Sequence, residues 1–329
     1  MKTDRHKFPY EWTLKDAVFT KDKGKVFSCF SCGGGSTMGY KLAGFDVIGC
    51  NEIDPKMMGA YIANHNPAHP YLEPIQTFKN RDDLPPELYE LDILDGSPPC
   101  SSFSMAGNRE KDWGKEKKFR EGQADQVLDT LFFDFIELAQ KLQPKIVIAE
   151  NVKGLLLGDA RDYLWRIMEA FNEAGYYVGY KLLNASHMGV PQRRERVFFY
   201  AIRKDLYQGE FMDLFQNEPA LDLEFDEVEI PCGSFCEFEQ KRDSINYSDS
   251  RFGDVILDKN RAANTITRGV RFWESEEMIL KSYCYNLIGS YPTDYDFMGD
   301  NVYLIGMSVP PVMTAQVASR VYEQWITKL

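Results

Sequence analysis

The segment Lys25–Gly35 reads "KVFSCFSCGGG", and after a short interval Phe45–Asp54 reads "FDVIGCNEID". Each opens as a run of β-branched and aromatic residues too short for a helix, which predicts a buried strand. The first run ends in Gly33-Gly34-Gly35, the second in acids. Glycines directly after a strand let backbone approach a ligand and open a helix whose N-terminus favours negative groups. Glu52, about 20 residues further on, stands where an acid can hold ribose hydroxyls. The pair points to an adenosine-containing cofactor. The spacing is not GxGxxG, and a tight turn beside a surface acid is the plainer alternative.

Working outward, "LDILDG" (Leu91–Gly96) and "KIVIAEN" (Lys145–Asn151) predict a third and a fourth strand. "YYVGYKLLNA" and "RVFFYAIR" (Arg196–Arg203) predict two more. Within "DQVLDTLFFDFIELAQKLQ", Val127, Leu128, Leu131, Phe132, Phe135, Ile136, Ala139 and Leu142 fall on one helical stripe. "ARDYLWRIMEAFNEAG" is a second amphipathic helix, stopped at Gly175. Strands alternating with helices make an α/β fold with a mostly parallel sheet. Ligands of such sheets bind beyond the carboxyl ends of the strands. The informative ends are therefore Phe30–Gly35, Asn51–Asp54, Gly96–Cys100 and Glu150–Asn151.

The net charge of −12 argues mildly against a polyanionic partner, but it is unevenly placed. Residues 205–260 hold 15 acids and 4 bases, a balance of −11, so the remainder is nearly neutral and can carry a local basic face. That acidic, weakly periodic stretch reads as a small second region. The expected division is an N-terminal extension (1–24), an α/β domain (25–204), a small acidic region (205–270) and a return to the α/β domain (271–329). No run of about 18 apolar residues is evident, so no membrane span is expected. The start lacks the apolar core of a secretory signal. Seven irregularly spaced cysteines suit a reducing compartment, so the expectation is a cytoplasmic protein.

Three further stretches could carry chemistry. In "DGSPPCSSFS", two prolines stiffen the chain before Cys100 at a strand end. That suits a nucleophile, although free cysteines are often inert core residues. Glu150 closes the otherwise apolar "IVIAEN", where a carboxylate is costly to bury without a partner. A cysteine with a tuned carboxyl suggests nucleophilic attack with acid assistance. "QRRERVFF" places Arg194 and Arg196 on one side of a strand, as guanidinium forks for phosphate, carboxylate or a base carbonyl, or as a solvated charge run. "GNREKDWGKEKKFREG" carries Arg109, Lys111, Lys115, Lys117, Lys118 and Arg120 in a Gly-flanked loop that could close over an anionic polymer. The CxxC at Cys29–Cys32 lies on the glycine turn, so a redox or zinc role there, even with Cys232 and Cys236, is disfavoured. Pro67 between His65 and His69 disfavours a metal site. No metal is expected.

These motifs, in this order, resemble the DNA (cytosine-5) methyltransferases from near Lys25 to the C-terminus, with 205–260 unmatched. "VFSCFSCGGGSTMGYKLAGFDVIGCNEID" is similar to that family's cofactor motif, "DGSPPCSSFS" to its nucleophile motif, and "IAENVKGLL" to its Glu-Asn-Val motif. "LNASHMGVPQRRERVFFYAIR" is similar to its arginine motif, "TITRG" and "SYPTDYDF" to the run after its recognition domain, and "GMSVPPVM" to its last motif. The resemblance implies a Rossmann-like class I methyltransferase fold with helices on both faces of the sheet, plus a small target-recognition region. It implies methyl transfer from S-adenosylmethionine, with S-adenosylhomocysteine as product, to carbon 5 of a cytosine flipped out of double-stranded DNA. Cys100 would be the nucleophile and Glu150 the partner of ring N3. Arg194 would orient the base and Arg196 stabilise the site. Phe30, Gly33, Gly35, Glu52, Ile53, Ile75, Pro99, Leu131 and Ser308 would contact the cofactor, and the basic loop after Cys100 the DNA. A monomer is implied, with a cognate restriction endonuclease, or a solitary or phage role. The chain departs from the pattern at Ser31-Cys32, at Gln76, at Ser101 and at Met307. Two rivals are a methyltransferase-like DNA-binding subunit that needs a partner, and a tRNA cytosine-5 methyltransferase.

Overall fold

In a computed structural model of the chain, the described residues are 6–99, 116–117, 126–127, 130–158, 160–242, 244–248 and 253–329. Strand β1 (Lys25–Cys29) sends Val26 to one face and Phe27 to the other, and both are fully buried. A turn leads into α1 (Gly35–Ala43), stopped by Gly44 at φ 97°. Then come β2 (Asp46–Glu52), α2 (Pro55–His65), β3 (His69–Leu72), α3 (Ile75–Phe78) and β4 (Ile93–Gly96). Asp54 caps α2 by accepting the N–H of Lys56 and of Met57, with Pro55 at the first helical position. The short pair β5 (Glu116–Lys117) and β6 (Gln126–Val127) precedes α4 (Leu131–Leu142), β7 (Ile146–Val152), α5 (Ala160–Glu173), β8 (Tyr176–Asn184) and β9 (Glu195–Arg203). The helix expected to include Val127 starts only at Leu131, because Val127 pairs with Glu116 in the short ladder.

The sheet order is β3-β2-β1-β4-β7-β9-β8. Six strands run in the same direction, and β9 runs antiparallel to them between β7 and β8. Both faces are covered, so the strands read as continuous apolar runs rather than alternating ones. In β9, Val197, Phe199 and Ala201 enter the core shared with α4 and α5, while Phe198, Tyr200 and Ile202 enter the opposite core. All strands except β9 end toward the same edge.

Beyond β9 the acidic stretch divides. A hairpin, β10 (Phe211–Asp213) and β11 (Glu218–Pro219), is followed by Leu221 and Leu223, which are buried in the core on one face of the large sheet. The separate small sheet is β12 (Phe238–Gln240), β13 (Asp254–Ile256), β14 (Arg271–Ser275) and β15 (Met278–Leu280), in the order β12-β15-β14-β13. It therefore runs to Leu280, past the division expected at 270, because β14 and β15 pair with strands on the earlier side. Helices α6 (Ser282–Ile288) and α7 (Asn301–Met307) pack in a third core shared with the small sheet and with Met38 of α1 and Met57 of α2, while α8 (Pro311–Gln324) packs in the core on one face of the large sheet. The stretch Asn301–Lys328 is long and apolar enough to cross a membrane by composition. However, 78% of its apolar window is buried inside the fold. Residues 8–19 strap across the molecule: Phe8 packs on the α8 side and Trp12 on the α6–α7 side.

One buried acid sits at the centre of this frame. Asp95 on β4 is 3% exposed and accepts hydrogen bonds from Ser28 Oγ (2.7 Å), Ser36 Oγ (2.8 Å) and Tyr40 Oη (3.2 Å). Burial lifts its pKa from 3.8 to about 6, against the downward pull of the three hydroxyls. A raised carboxyl pKa means that the folded chain holds this proton more tightly than the unfolded one. The stability it contributes is therefore complete below pH 3.8 and is lost as pH rises to about 6. The expected size is about 3 kcal/mol. In urea melts, the stability of Asp95→Asn relative to wild type should climb by that amount across this window. A flat difference would show that Asp95 does not titrate there.

Candidate active site

The carboxyl ends of β1, β2 and β4 open onto one pocket, where ligands of such sheets bind. Its apolar wall includes Phe30, Ile53, Met57, Ile75, Pro99 and Leu131. Phe30 and Cys32 both take positive φ, 51° and 49°, so the turn after β1 is strained at the pocket's edge. The Phe30 ring meets Phe135 edge-on at 6.4 Å between centroids. The polar wall is acidic: Glu52, Asp54 and Glu73. Glu52 is 8% exposed and accepts the backbone N–H of Cys32 (2.7 Å), Ile53 (2.8 Å) and Asp54 (2.8 Å). Burial raises its pKa, and those three donors oppose the rise. A carboxylate offers about four acceptor positions. Three are thus engaged, and one is left for a ligand hydroxyl. An apolar slot with several carboxylates suits a cationic nucleoside ligand.

Six of the nine residues proposed for the cofactor, Phe30, Glu52, Ile53, Ile75, Pro99 and Leu131, line this pocket. Gly33, Gly35 and Ser308 do not. The reason is physical. A Cβ on Gly33 would lie 2.2 Å from Leu304 Cδ1, and one on Gly35 would lie 2.4 Å from the Val309 carbonyl oxygen. At both glycines the missing Cβ leaves room for the chain's own C-terminal segment. Tyr295 Oη donates to the Gly33 carbonyl and pairs with His65 Nε2 at 2.9 Å, fixing the turn from outside. Gly35→Ala is accordingly expected to destabilise the whole chain, by roughly 1–3 kcal/mol of overpacking, since a backbone oxygen cannot swing aside. Thermal melting would read it, and an unchanged midpoint would refute the contact.

Tyr303 and Met307, one turn apart on α7, complete the pocket. Tyr303 escaped the sequence reading because it lies outside any recognisable motif. Its i, i+4 relation to Met307, just before "SVPP", was the available signal. Cys32 and Met307, two of the departures from the family pattern, both reach the pocket lining. Gln76 does not, and its Oε1 is buried without a partner.

At the neighbouring strand end, Glu150 Oε1 lies 2.8 Å from Arg196 Nε, with side chains 12% and 15% exposed. The two residues are diagonal neighbours in the continuous β7–β9 ladder, in which Glu150 faces Phe198 and Val152 faces Arg196. Burial lowers the Arg196 pKa, and Glu150 opposes this. Asn151 is turned the other way: its Nδ2 donates to the Pro98 carbonyl at 3.2 Å. The strand that carries Glu150 thereby grips the proline pair directly before Cys100.

Arg194 differs from expectation. Its guanidinium is 2% exposed and donates to three main-chain carbonyls: Ile266 (3.0 Å), Gly306 (3.0 Å) and Ser308 (2.8 Å). Burial, helped by Arg196, pulls its pKa down to about 9, still high enough to keep it charged at neutral pH. With its fork committed to backbone, Arg194 ties β9 to the C-terminal segment, and Arg196 is the arginine at the carboxylate. Cys100, Arg109, Lys111, Lys115, Lys118 and Arg120 lie outside the described residues. Of Lys117 only the strand pairing is described.

Known proteins agree with this architecture. Residues 24–223 match the family model described as C-5 cytosine-specific DNA methylase. Type II methyltransferase M.FnuDI of Fusobacterium nucleatum is 38% identical over 189 residues, 57% of this chain and 49% of that protein. Type II methyltransferase M.NgoPII of Neisseria gonorrhoeae is 30% identical over 246 residues, 72% of this chain and 67% of that protein. Orphan methyltransferase M.SPRI of Bacillus phage SPR is 36% identical over 171 residues, 51% of this chain and 34% of that protein. The chain thus spans between a third and two thirds of the length of these relatives. Among solved structures, Spodoptera frugiperda DNMT2 superposes with a TM-score of 0.65 at 18% identity, covering 91% of this chain and 99% of that one, and so shares the fold. With the matched segment spanning more than half of its length, the chain belongs to the C-5 cytosine-specific DNA methylase family.

Proposed function

We propose that this chain methylates carbon 5 of cytosine in double-stranded DNA, with S-adenosylmethionine as methyl donor. The observation that carries the reading is the junction at the ends of β4 and β7. There Glu150 pairs with Arg196, Asn151 holds Pro98, and Pro99 forms a wall of the acidic, apolar pocket. A nucleophile at position 100 would follow directly on a residue of the cofactor pocket, so donor and acceptor carbons would meet across one proline.

S-adenosylmethionine, when bound, supplies an electrophilic methyl group. Phe30, Ile53 and Ile75 would hold its apolar parts and Glu52 a ribose hydroxyl. Glu73, steadied by Arg81 at 3.1 Å, adds negative charge facing a cation. Cytosine is a poor electrophile, so Cys100 would add to ring carbon 6 while Glu150, oriented by Arg196, holds a proton at N3. Addition makes carbon 5 nucleophilic. Loss of the carbon-5 proton after methyl transfer expels Cys100 and restores the ring. The cytosine must leave the duplex to reach this site. Arg242 and Arg268 line a groove beside the small sheet, where they could meet phosphates within an otherwise acidic region. Type II and orphan methyltransferases both occur among the relatives, and either a paired or a solitary role fits. We read the chain as a cytoplasmic monomer, served in a paired role by a cognate restriction endonuclease.

The test is bisulfite sequencing of DNA from cells expressing the chain, beside labelled-methyl incorporation into duplex DNA and tRNA by the purified protein. The expected result is 5-methylcytosine at one short DNA sequence and none in tRNA. Absence of transfer to mixed-sequence DNA by the purified chain would favour the partner-dependent subunit. Label in tRNA alone would move the substrate to RNA.

A further inference from the structure

Residues 12–15 of the N-terminal strap grip a loop from the other end of the chain, 290–295. The Trp12 indole N–H donates to the Ser290 carbonyl (3.2 Å), and the Thr293 N–H donates to the Trp12 carbonyl (2.8 Å). The N–H groups of Leu14 and Lys15 donate to the two carboxylate oxygens of Asp294, at 2.6 Å and 3.1 Å. A turn aims those two donors: Thr13 Oγ1 donates to Asp16 Oδ2 at 2.6 Å, and the Ala17 N–H returns to the Leu14 carbonyl at 3.3 Å. Both sides of the grip lie outside the segment 24–223 that matches the family model.

The gripped loop meets the glycine turn with its other side. Tyr291, Tyr295 and Phe297 form one aromatic cluster, with ring centroids 5.0 to 5.4 Å apart. Tyr295 Oη donates to the Gly33 carbonyl, and a Cβ on Gly35 would lie 2.3 Å from Tyr291 Oη. Trp12, Leu14 and Phe19 pack on the same core as these rings. A second arm reaches Tyr295 through α1 and α2. Lys41 Nζ lies 6.0 Å from the Phe19 ring centroid and donates to the His65 carbonyl (3.1 Å), and His65 Nε2 meets Tyr295 Oη at 2.9 Å. Ser290, where the loop begins, holds φ at 56°. Such backbone costs a non-glycine residue energy and persists where its surroundings over-determine it. Trp12 on its carbonyl and the Val312 N–H on its hydroxyl (3.2 Å) supply that constraint.

We propose, on the reading of the pocket as the S-adenosylmethionine site, that Trp12 and Asp294 are positioning residues for the methyl donor. By fixing the loop on the strap they hold Tyr295 against Gly33, and so set the pocket wall that Phe30 and Cys32 make just before it. Neither Trp12 nor Asp294 lines the pocket. With the grip released, Tyr295 leaves the Gly33 carbonyl part of the time and the binding-competent turn becomes a fraction of the population. Apparent cofactor affinity falls by that fraction. Chemistry on the bound complex is unaltered, because Glu150 and Arg196 are carried by β7 and β9.

The test is calorimetric titration of S-adenosylhomocysteine into the full chain as wild type, Asp294→Ala and Trp12→Phe, beside deuterium uptake of the peptide containing 30–35. Asp294→Ala is expected to weaken binding by about tenfold, near the net worth of one hydrogen bond to a charged group, and to speed exchange at 33–35. Trp12→Phe keeps the ring packing and loses the indole N–H, for an expected loss of about threefold. In methyl transfer, the KM for S-adenosylmethionine should rise by the same factors with kcat unchanged. Lys7→Ala breaks a surface pairing with Glu323 just before the strap (2.8 Å) and should bind as wild type does. A lowered melting temperature with unaltered affinity and exchange would make the grip structural only and overturn the proposal. If Asp294→Ala does not fold, unaltered affinity in Trp12→Phe overturns it equally. Wild type that binds no S-adenosylhomocysteine would overturn the reading of the pocket and the positioning role that rests on it, an outcome visible before any variant is compared.

Discussion

Cys100→Ser is expected to bring methyl transfer below detection while leaving S-adenosylmethionine binding unchanged. A serine hydroxyl is far less acidic than a thiol and adds poorly to a pyrimidine ring. Removing the nucleophile of a covalent mechanism costs on the order of a millionfold in turnover where it has been measured in other enzymes. Among the described residues the pocket's wall at this point is Pro99, and Pro98 is held from β7 by Asn151. Calorimetric titration of the cofactor, beside labelled-methyl transfer, separates the two effects. Duplex DNA in which the target cytosine carries fluorine at carbon 5 should trap wild type as a denaturant-resistant adduct, because that fluorine cannot leave as a proton does. The Cys100→Ser protein should form none. Residual transfer by the serine variant at more than a trace of the wild-type rate would remove Cys100 from the mechanism.

Glu150→Gln is the second large effect. The amide keeps an acceptor for Arg196 Nε, so the contact at 2.8 Å can persist, but it cannot hold and return a proton at ring N3. General acid–base groups typically contribute about a hundredfold to ten-thousandfold, and kcat is expected to fall within that span. The KM for S-adenosylmethionine should stay close to wild type, since Glu150 does not line the cofactor pocket. Arg196→Lys should cost less in kcat but more in stability. It retains the charge and loses the planar fork beside a largely buried carboxylate. If Glu150→Gln kept its turnover while Arg196→Lys lost stability, the pair would be structural only.

Much of the frame is legible in the residues. The runs at 25–30, 45–54, 91–96 and 145–151 are apolar without alternation, as strands covered on both faces must be, and they become β1, β2, β4 and β7. The candidate site is legible where it rides on strand ends: Glu52, Ile53, Pro99 and Glu150 follow from where apolar runs stop. It is less legible where distant segments meet. Nothing near Gly33 or Gly35 announces that Leu304 and Val309 fill the space above them. Nothing in "QRRER" says which arginine turns to backbone carbonyls and which to the carboxylate. That choice is set by the antiparallel register of β9 on β7 and by the approach of residues 266 and 306–308. The acidic stretch misled for a similar reason. Its charge suggested one region, yet Leu221 and Leu223 are drawn under α8 while Phe238 onward forms a separate sheet.

The closure of the glycine turn by α7 and Tyr295 has a consequence for biosynthesis. Strands β1 through β9 leave the ribosome well before residues 295–309, yet the pocket edge at Gly33 is held by Tyr295 and packed by Leu304. Until that late segment docks, the turn lacks its outer support and the pocket lacks Tyr303 and Met307. Contacts between segments so distant along the chain form slowly, because a long loop must close first. Cofactor affinity should therefore appear as one of the last events of folding, and a nascent chain halted before α7 would carry the sheet without a finished place for the methyl donor.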